Sequence, residues 1–155
     1  MFSRLFGKPQ TPSVEPDYRV LMVCMGNICR SPTAEAVLRH KLQQAGLHER
    51  VQVDSAGTHA YHVGSPPDER SQKHARARGY DLAALRARKF DPSDLDCFDL
   101  ILAMDWDNLA LLEEACPPGQ PARRKLRRLT EFVGNDSAHA GAQVVPDPYY
   151  GGPAG

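Results

Sequence analysis

Val20-Leu21-Met22-Val23 is an uninterrupted apolar run, and it leads straight into Cys24-Met25-Gly26-Asn27-Ile28-Cys29-Arg30-Ser31-Pro32. A strand without polar alternation has both faces buried, which is the habit of parallel sheets flanked by helices. Ser31-Pro32-Thr33-Ala34-Glu35 then reads as a helix start. Pro32 suits the first helical position, where its missing N–H costs nothing, and Glu35 sets a carboxylate in the first turn. A loop bent between that strand and that helix turns several backbone N–H groups into one concavity at the positive end of the helix, a site for an anion. Gly26 lets the loop turn without a Cβ clash. The same field favours a thiolate, so Cys24 reads as a nucleophile. Arg30 sits where a loop that curls back aims its planar fork at two phosphate oxygens, a grip that lysine lacks.

From residue 18 onward strand and helix patterns alternate. A helix is predicted over 33–45, stopped by Gly46, and a second strand over 51–54. A loop with Gly57, Gly64, Pro66 and Pro67 leads to a helix over 68–78 that Gly79 ends. A third strand follows at 99–103, a helix at 106–115, the break Pro117-Pro118, and a short, charged fourth strand at 125–129. This alternation predicts one α/β domain with a four-stranded parallel sheet, right-handed crossovers and flanking helices; ligands bind at the carboxyl ends of such strands, where Cys24 lies. Residues 1–17 stand apart: Phe2, Leu5 and Phe6 lie beside Arg4 and Lys8, and Pro9, Pro12 and Pro16 interrupt regular structure. A disordered tail over 1–17 and a folded domain over 18–155 are expected.

Composition removes several functions. Lys plus Arg and Asp plus Glu both total 19, so no general field draws the chain to nucleic acid or anionic membrane. The apolar stretches fall well short of the roughly 18 residues that a membrane span needs. Four cysteines without framework spacing point to a reducing, cytoplasmic setting. Cys24 and Cys29 resemble half of a zinc site, but Cys97 and Cys116 lack partners at ligand spacing, so no metal or other cofactor is expected. No Gly-Lys-Ser/Thr and no three-glycine fingerprint follows the strand, which disfavours nucleotide binding. The run from Arg123 to Arg128 reads as a solvated charged segment, and the six histidines read as surface residues.

The Cys-x-Gly-Asn-x-Cys-Arg-Ser-Pro loop after an apolar strand resembles the signature of the low-molecular-weight protein tyrosine phosphatases. Asp147-Pro148-Tyr149-Tyr150 resembles a second element of that family, in the right order and far along the chain. Asp54-Ser55-Ala56-Gly57-Thr58, Arg86-Ala87-Arg88 and Ile101-Leu102-Ala103-Met104-Asp105 are similar to further family segments, so the resemblance covers residues 18–152. It implies a phosphotyrosine protein phosphatase I-like fold, Rossmann-like in three layers, and hydrolysis of phosphotyrosine in protein substrates through a cysteinyl-phosphate. Cys24 is then the nucleophile, Arg30 the phosphate clamp and Asp147 the general acid and base, while Met25, Gly26, Asn27, Ile28, Cys29 and Ser31 line the phosphate-binding loop. By itself an Asp-Pro pair is more often a turn.

The resemblance also implies that Asn27 holds a left-handed bend, that Cys29 forms a reversible disulfide with Cys24, and that Tyr61, Tyr149 and Tyr150 wall a deep aromatic slot. Each has a plainer reading: Cys29 packs the loop, Ser31 caps the helix as well as donating to the thiolate, and the tyrosines are half-buried packing. The alternatives are a phosphoarginine phosphatase, which typically has threonine where Ile28 stands; an arsenate reductase, for which neither Cys97 nor Cys116 lies in a matching motif; and a non-catalytic oxyanion binder. Two departures stand out. Leu85 replaces a histidine that supports the loop asparagine in many members, and the sequence stops at Gly155, before a terminal helix. A truncated form, or another surface covering that face of the sheet, is expected.

Overall fold

The computed structural model describes residues 15–149. Four strands, β1 (Tyr18–Cys24), β2 (Val51–Gly57), β3 (Leu100–Ala103) and β4 (Leu126–Arg128), form one sheet in the order β2-β1-β3-β4, every pair parallel. The lack of alternation in β1 has its cause in the layers. Leu21 and Val23 point to one face, among Ala56, Phe98, Ile101, Ala103, Leu112 and Leu126. Val20, Met22 and Cys24 point to the other, with Val53, Leu102 and Met104. The helix α1 (Arg30–Gln44) covers the second face through Ala34, Leu38 and Leu42. On the first face lie the four-residue helix α3 (Asp94–Cys97), through Leu95, and α4 (Trp106–Ala115), through Leu109 and Leu112. Between β2 and α3 the chain forms α2 (Glu69–Ala77), whose first turn is capped by Asp68 accepting the Ser71 N–H at 3.1 Å.

The connection from β1 reaches β2 on one side and the chain then crosses to β3 on the other, so the loops diverge at the carboxyl end of β1. That divergence opens the crevice in which such sheets bind ligands.

Several boundaries differ from the sequence expectation, each for a local reason. α1 starts at Arg30, not at residue 33, so Pro32 is its third residue; it is still within the turn whose N–H groups have no intrahelical acceptor. Cys29 is the N-cap and no side chain caps it, so Ser31 is not a helix cap. Glu35 does not serve the helix dipole. It is 2% exposed, pressed onto β2, where it accepts from the Ser55 hydroxyl at 2.6 Å and from Arg39 at 2.6 Å. β2 continues to Gly57 because the loop after Cys24 lies over its end. The segment expected as a strand over 125–129 is a 3₁₀ turn (Pro121–Lys125), then β4, then a second 3₁₀ turn (Leu129–Phe132). α3 was not foreseen; Asp94 at its start binds Arg88 at 2.9 Å. Of the expected tail, residues 1–14 lie outside the described residues, and the Asp17 N–H donates to the Arg50 carbonyl at 2.8 Å. Among the described residues, no helix is long and apolar enough to cross a membrane.

Two stability outcomes follow from these contacts. Leu21 is fully buried at the centre of the sheet, so Leu21→Ala is expected to cost about 2–5 kcal/mol in urea unfolding. Burial raises the proton affinity of Glu35 above its ordinary value of 4.5, against the opposing pull of Ser55 and Arg39. The folded state therefore keeps a proton that the unfolded chain has already released, and stability from this group falls as pH rises above that value. In urea unfolding, Glu35→Gln should gain on the wild type steadily from acid to neutral pH; a constant difference would remove the carboxylate as the cause.

Candidate active site

β1 ends at Cys24, whose Sγ is buried and is met by two groups: the Asn27 N–H at 3.3 Å and the Ser31 hydroxyl at 3.0 Å. The N–H reaches the sulfur because Asn27 has φ 57, the only positive value outside glycine among the described residues. That bend costs about 1–2 kcal/mol for an ordinary L-residue, and three hydrogen bonds hold it. Asn27 Nδ2 donates to Ser31 Oγ at 2.8 Å and to Ser55 Oγ at 2.9 Å, and Oδ1 accepts the Arg88 N–H at 3.0 Å. The support that Leu85 left unaccounted for therefore comes from a backbone amide and a serine. Arg88 itself is fixed between Asp54 at 3.0 Å and Asp94.

The network has a direction. Glu35, already taking a hydrogen bond from Arg39, accepts the Ser55 hydroxyl proton, so Ser55 must accept from Asn27. Ser31 likewise accepts from Asn27, and its hydroxyl lies 3.0 Å from the Cys24 sulfur and donates to the Ala56 carbonyl at 3.4 Å. Glu35 and Ser55 escaped the sequence reading because the contact joins elements distant in sequence.

The left-handed backbone of the loop lies at Asn27, as the resemblance implied, and Gly26 has no positive φ. A Cβ at Gly26 would lie 2.9 Å from His62 Cδ2, a side chain that can shift. A Cβ at Gly57 would lie 2.8 Å from the Met25 carbonyl oxygen and 3.0–3.1 Å from other loop backbone atoms, so the loop lies directly on β2 only because residue 57 is glycine.

Arg30 is buried, and its fork faces the other side of the site. Nη1 donates to Asp105 Oδ2 at 2.6 Å and to the Val145 carbonyl at 2.8 Å, and Nη2 reaches Asp147 Oδ2 at 3.4 Å. Nε is buried and has no hydrogen-bond partner among the described residues. Asp105 was quoted in a sequence segment but given no role. It caps α4 through the Asn108 N–H at 2.7 Å with one oxygen and orients Arg30 with the other.

Asp147 follows an irregular segment, and its Oδ1 accepts the Tyr149 N–H at 3.1 Å. The Asp-Pro turn and the site position thus coexist. Asp147 and Cys24 line one cleft with Met25, Gly26, Ile28, Cys29, Tyr61, His62 and Tyr149. Its volume is about 30 Å³. Tyr61 stands at its rim, 75% exposed and stacked on His59 at 5.2 Å, and Tyr149 faces His62 at 5.9 Å. Tyr150 lies outside the described residues. His62 corrects the view of the histidines as surface residues; its place beside Tyr61 was the available signal. A larger groove of about 620 Å³ along α1 and α2 shares only Cys29 with this cleft; Arg30 lines the groove, and Cys24 and Asp147 do not. Burial, chiefly, pushes the Cys29 thiol up to about 11, the Ser71 hydroxyl opposing it, so Cys29 is a neutral thiol at ordinary pH. Among the described residues no three His, Cys, Asp or Glu side chains converge as a metal site.

This geometry is shared with known proteins. The chain is 42% identical over 133 residues to the low molecular weight protein-tyrosine-phosphatase YfkJ of Bacillus subtilis, covering 86% of this chain and 81% of that one. It is 43% identical over 138 residues to the low molecular weight phosphotyrosine protein phosphatase of Schizosaccharomyces pombe, covering 88% and 84%. The crystal structure of the protein tyrosine phosphatase from Entamoeba histolytica, with Hepes in its active site, matches with a TM-score of 0.79 and 41% identity, over 87% of this chain and 82% of that one. The family model described as low molecular weight phosphotyrosine protein phosphatase matches residues 19–155. With a thiol loop at the carboxyl end of β1 and a match across nearly the whole sequence, the chain belongs to the low molecular weight phosphotyrosine protein phosphatase family.

Proposed function

We propose that this phosphatase hydrolyses phosphotyrosine in protein substrates, with Cys24 as nucleophile, Arg30 and residues 25–31 as the phosphate cradle, and Asp147 as general acid and then base. The observation that carries the reading is the shared cleft of Cys24 and Asp147, with Arg30 hydrogen-bonded to the segment that bears the acid. The Cys24 sulfur attacks phosphorus in line. An S–P bond forms, the P–O bond to the tyrosine breaks, and Asp147 gives its proton to the departing phenolate oxygen. Arg30 and the loop N–H groups hold the equatorial oxygens through this charge redistribution. Water then attacks the cysteinyl-phosphate, Asp147 takes its proton, and the S–P electron pair returns to sulfur, releasing phosphate. The Ser31 hydroxyl, aimed at that sulfur, stabilises it as it leaves.

Tyr61 and Tyr149 at the cleft, with Tyr150 next in sequence, flank a planar aromatic ester. Ile28 favours phosphotyrosine over phosphoarginine. Cys29, beside Cys24 on the cleft wall, condenses with a Cys24 sulfenic acid to give a disulfide and water, a route back from oxidation.

Turnover of p-nitrophenyl phosphate tests the mechanism. Cys24→Ser should have no detectable activity, and Asp147→Asn should lose about 10²- to 10⁴-fold in kcat/KM for phosphotyrosine peptides. Turnover surviving in Cys24→Ser would end the proposal, and preference for phosphoarginine or phosphoserine peptides would redirect it. Since Cys29 holds its proton up to about 11, peptide mass mapping after iodoacetamide should find it unmodified at neutral pH and labelled only in strong alkali.

A further inference from the structure

The segment that carries Asp147 has no ladder of its own to fix it. Residues 131–142 leave β4 as an excursion of local turns, with backbone bonds that span only three residues. Those turns cannot set where the chain returns. The return is fixed at Gln143, four residues before Asp147, by side chains. Arg128 Nη1 donates to the Gln143 carbonyl at 2.6 Å and the Thr130 hydroxyl donates to the same oxygen at 2.9 Å. Arg128 also donates to Thr130 Oγ1 at 3.1 Å, so the three groups close a ring in which the hydroxyl accepts once and donates once. Thr130 is 9% exposed.

Arg128 is held in turn. Its guanidinium lies over the Trp106 ring, 3.7 Å from the centroid, within the range of a strong cation–π contact. Trp106 opens α4 directly after Asp105, the residue that orients Arg30. Two adjacent residues at one helix start thus hold two arginines, and these grip alternate carbonyls of the acid segment: Gln143 through Arg128 and Val145 through Arg30. Between the two grips the Val145 N–H donates to the Met104 carbonyl at 2.7 Å, so the segment is tied along its length.

We propose that Thr130 and Arg128, with Trp106 beneath it, are positioning residues that set the reach of Asp147 toward the leaving group. The inference rests on Asp147 being the general acid. A proton must be delivered across hydrogen-bond distance, so a loop loosened four residues upstream weakens acid catalysis before it weakens phosphate binding. The effect therefore depends on how much the leaving group needs a proton.

The test is a series of aryl phosphates running from p-nitrophenyl phosphate to phenyl phosphate, with kcat/KM plotted against leaving-group pKa. Thr130→Val, which removes the hydroxyl at nearly constant shape, and Trp106→Leu, which removes the exposed platform, should both steepen the dependence. A loss of about tenfold is expected for phenyl phosphate against about twofold or less for p-nitrophenyl phosphate. Inhibition by vanadate, which needs no proton donor, should stay near the wild-type value, and Thr130→Ser should restore the wild-type slope. Equal losses across the series, or an unchanged slope in both variants, would overturn the proposal. Should Thr130→Val lack the wild-type circular dichroism spectrum, Trp106→Leu and Arg128→Met decide by the same slope. Asp147→Asn run in parallel separates the two claims. If it steepens the slope and the others do not, only the positioning role falls; if it does not, the acid assignment falls and takes the positioning role with it.

Discussion

The Asn27 side chain joins three parts of the molecule that are otherwise separate. Through Ser31 it reaches α1, through Ser55 it reaches β2, and through the Arg88 N–H it reaches the strand-like segment before α3. Its left-handed backbone would be unfavourable alone. Held at all three points, it turns an amide proton onto the Cys24 sulfur and keeps the Ser31 hydroxyl within 3.0 Å of it. A cysteine at the end of a buried strand would otherwise be a small apolar residue. Beneath that polar face lies Glu35, a carboxylate eleven residues on from Cys24, which accepts the Ser55 hydroxyl.

A second constraint is steric. The loop lies on β2 at van der Waals distance, and glycine at position 57 is what permits it. Electrostatics then organise the opposite wall. Arg30, buried and paired with Asp105, is oriented by the protein's own groups, and its Nε is left without a partner among the described residues. A charge fixed in advance needs no reorganisation when phosphate arrives.

Much of this was legible in the sequence where the cause was local. The unbroken apolar run in β1 implied two covered faces, and the alternation of elements implied a parallel sheet, because periodicity is imposed by nearest neighbours in the chain. Of the short elements, β4 was legible and α3 was not. α3 has four residues, too few for a period, and forms around the Arg88–Asp94 contact. Glu35 looked like a first-turn acid because spacing along a helix does not reveal which face a sheet will cover. His62, Asp105 and Ser55 enter the site from other elements, and no motif around Cys24 encodes their arrival. The tyrosines were placed at the cleft, but its width depends on the packing of His62 against Gly26 and Tyr149.

The reach of Arg30 to Asp105 and to Val145 spans most of the chain in sequence. The loop around Cys24 is made early in synthesis, whereas Arg30 is oriented only after β3 and α4 have docked, and Asp147 arrives only after the chain has come back past β4. Contacts of such long separation form late, because the intervening loops must first be ordered. A ribosome-bound fragment ending before Asp105 thus holds the whole signature loop while Arg30 still lacks both of the carboxylates that it meets in the finished chain.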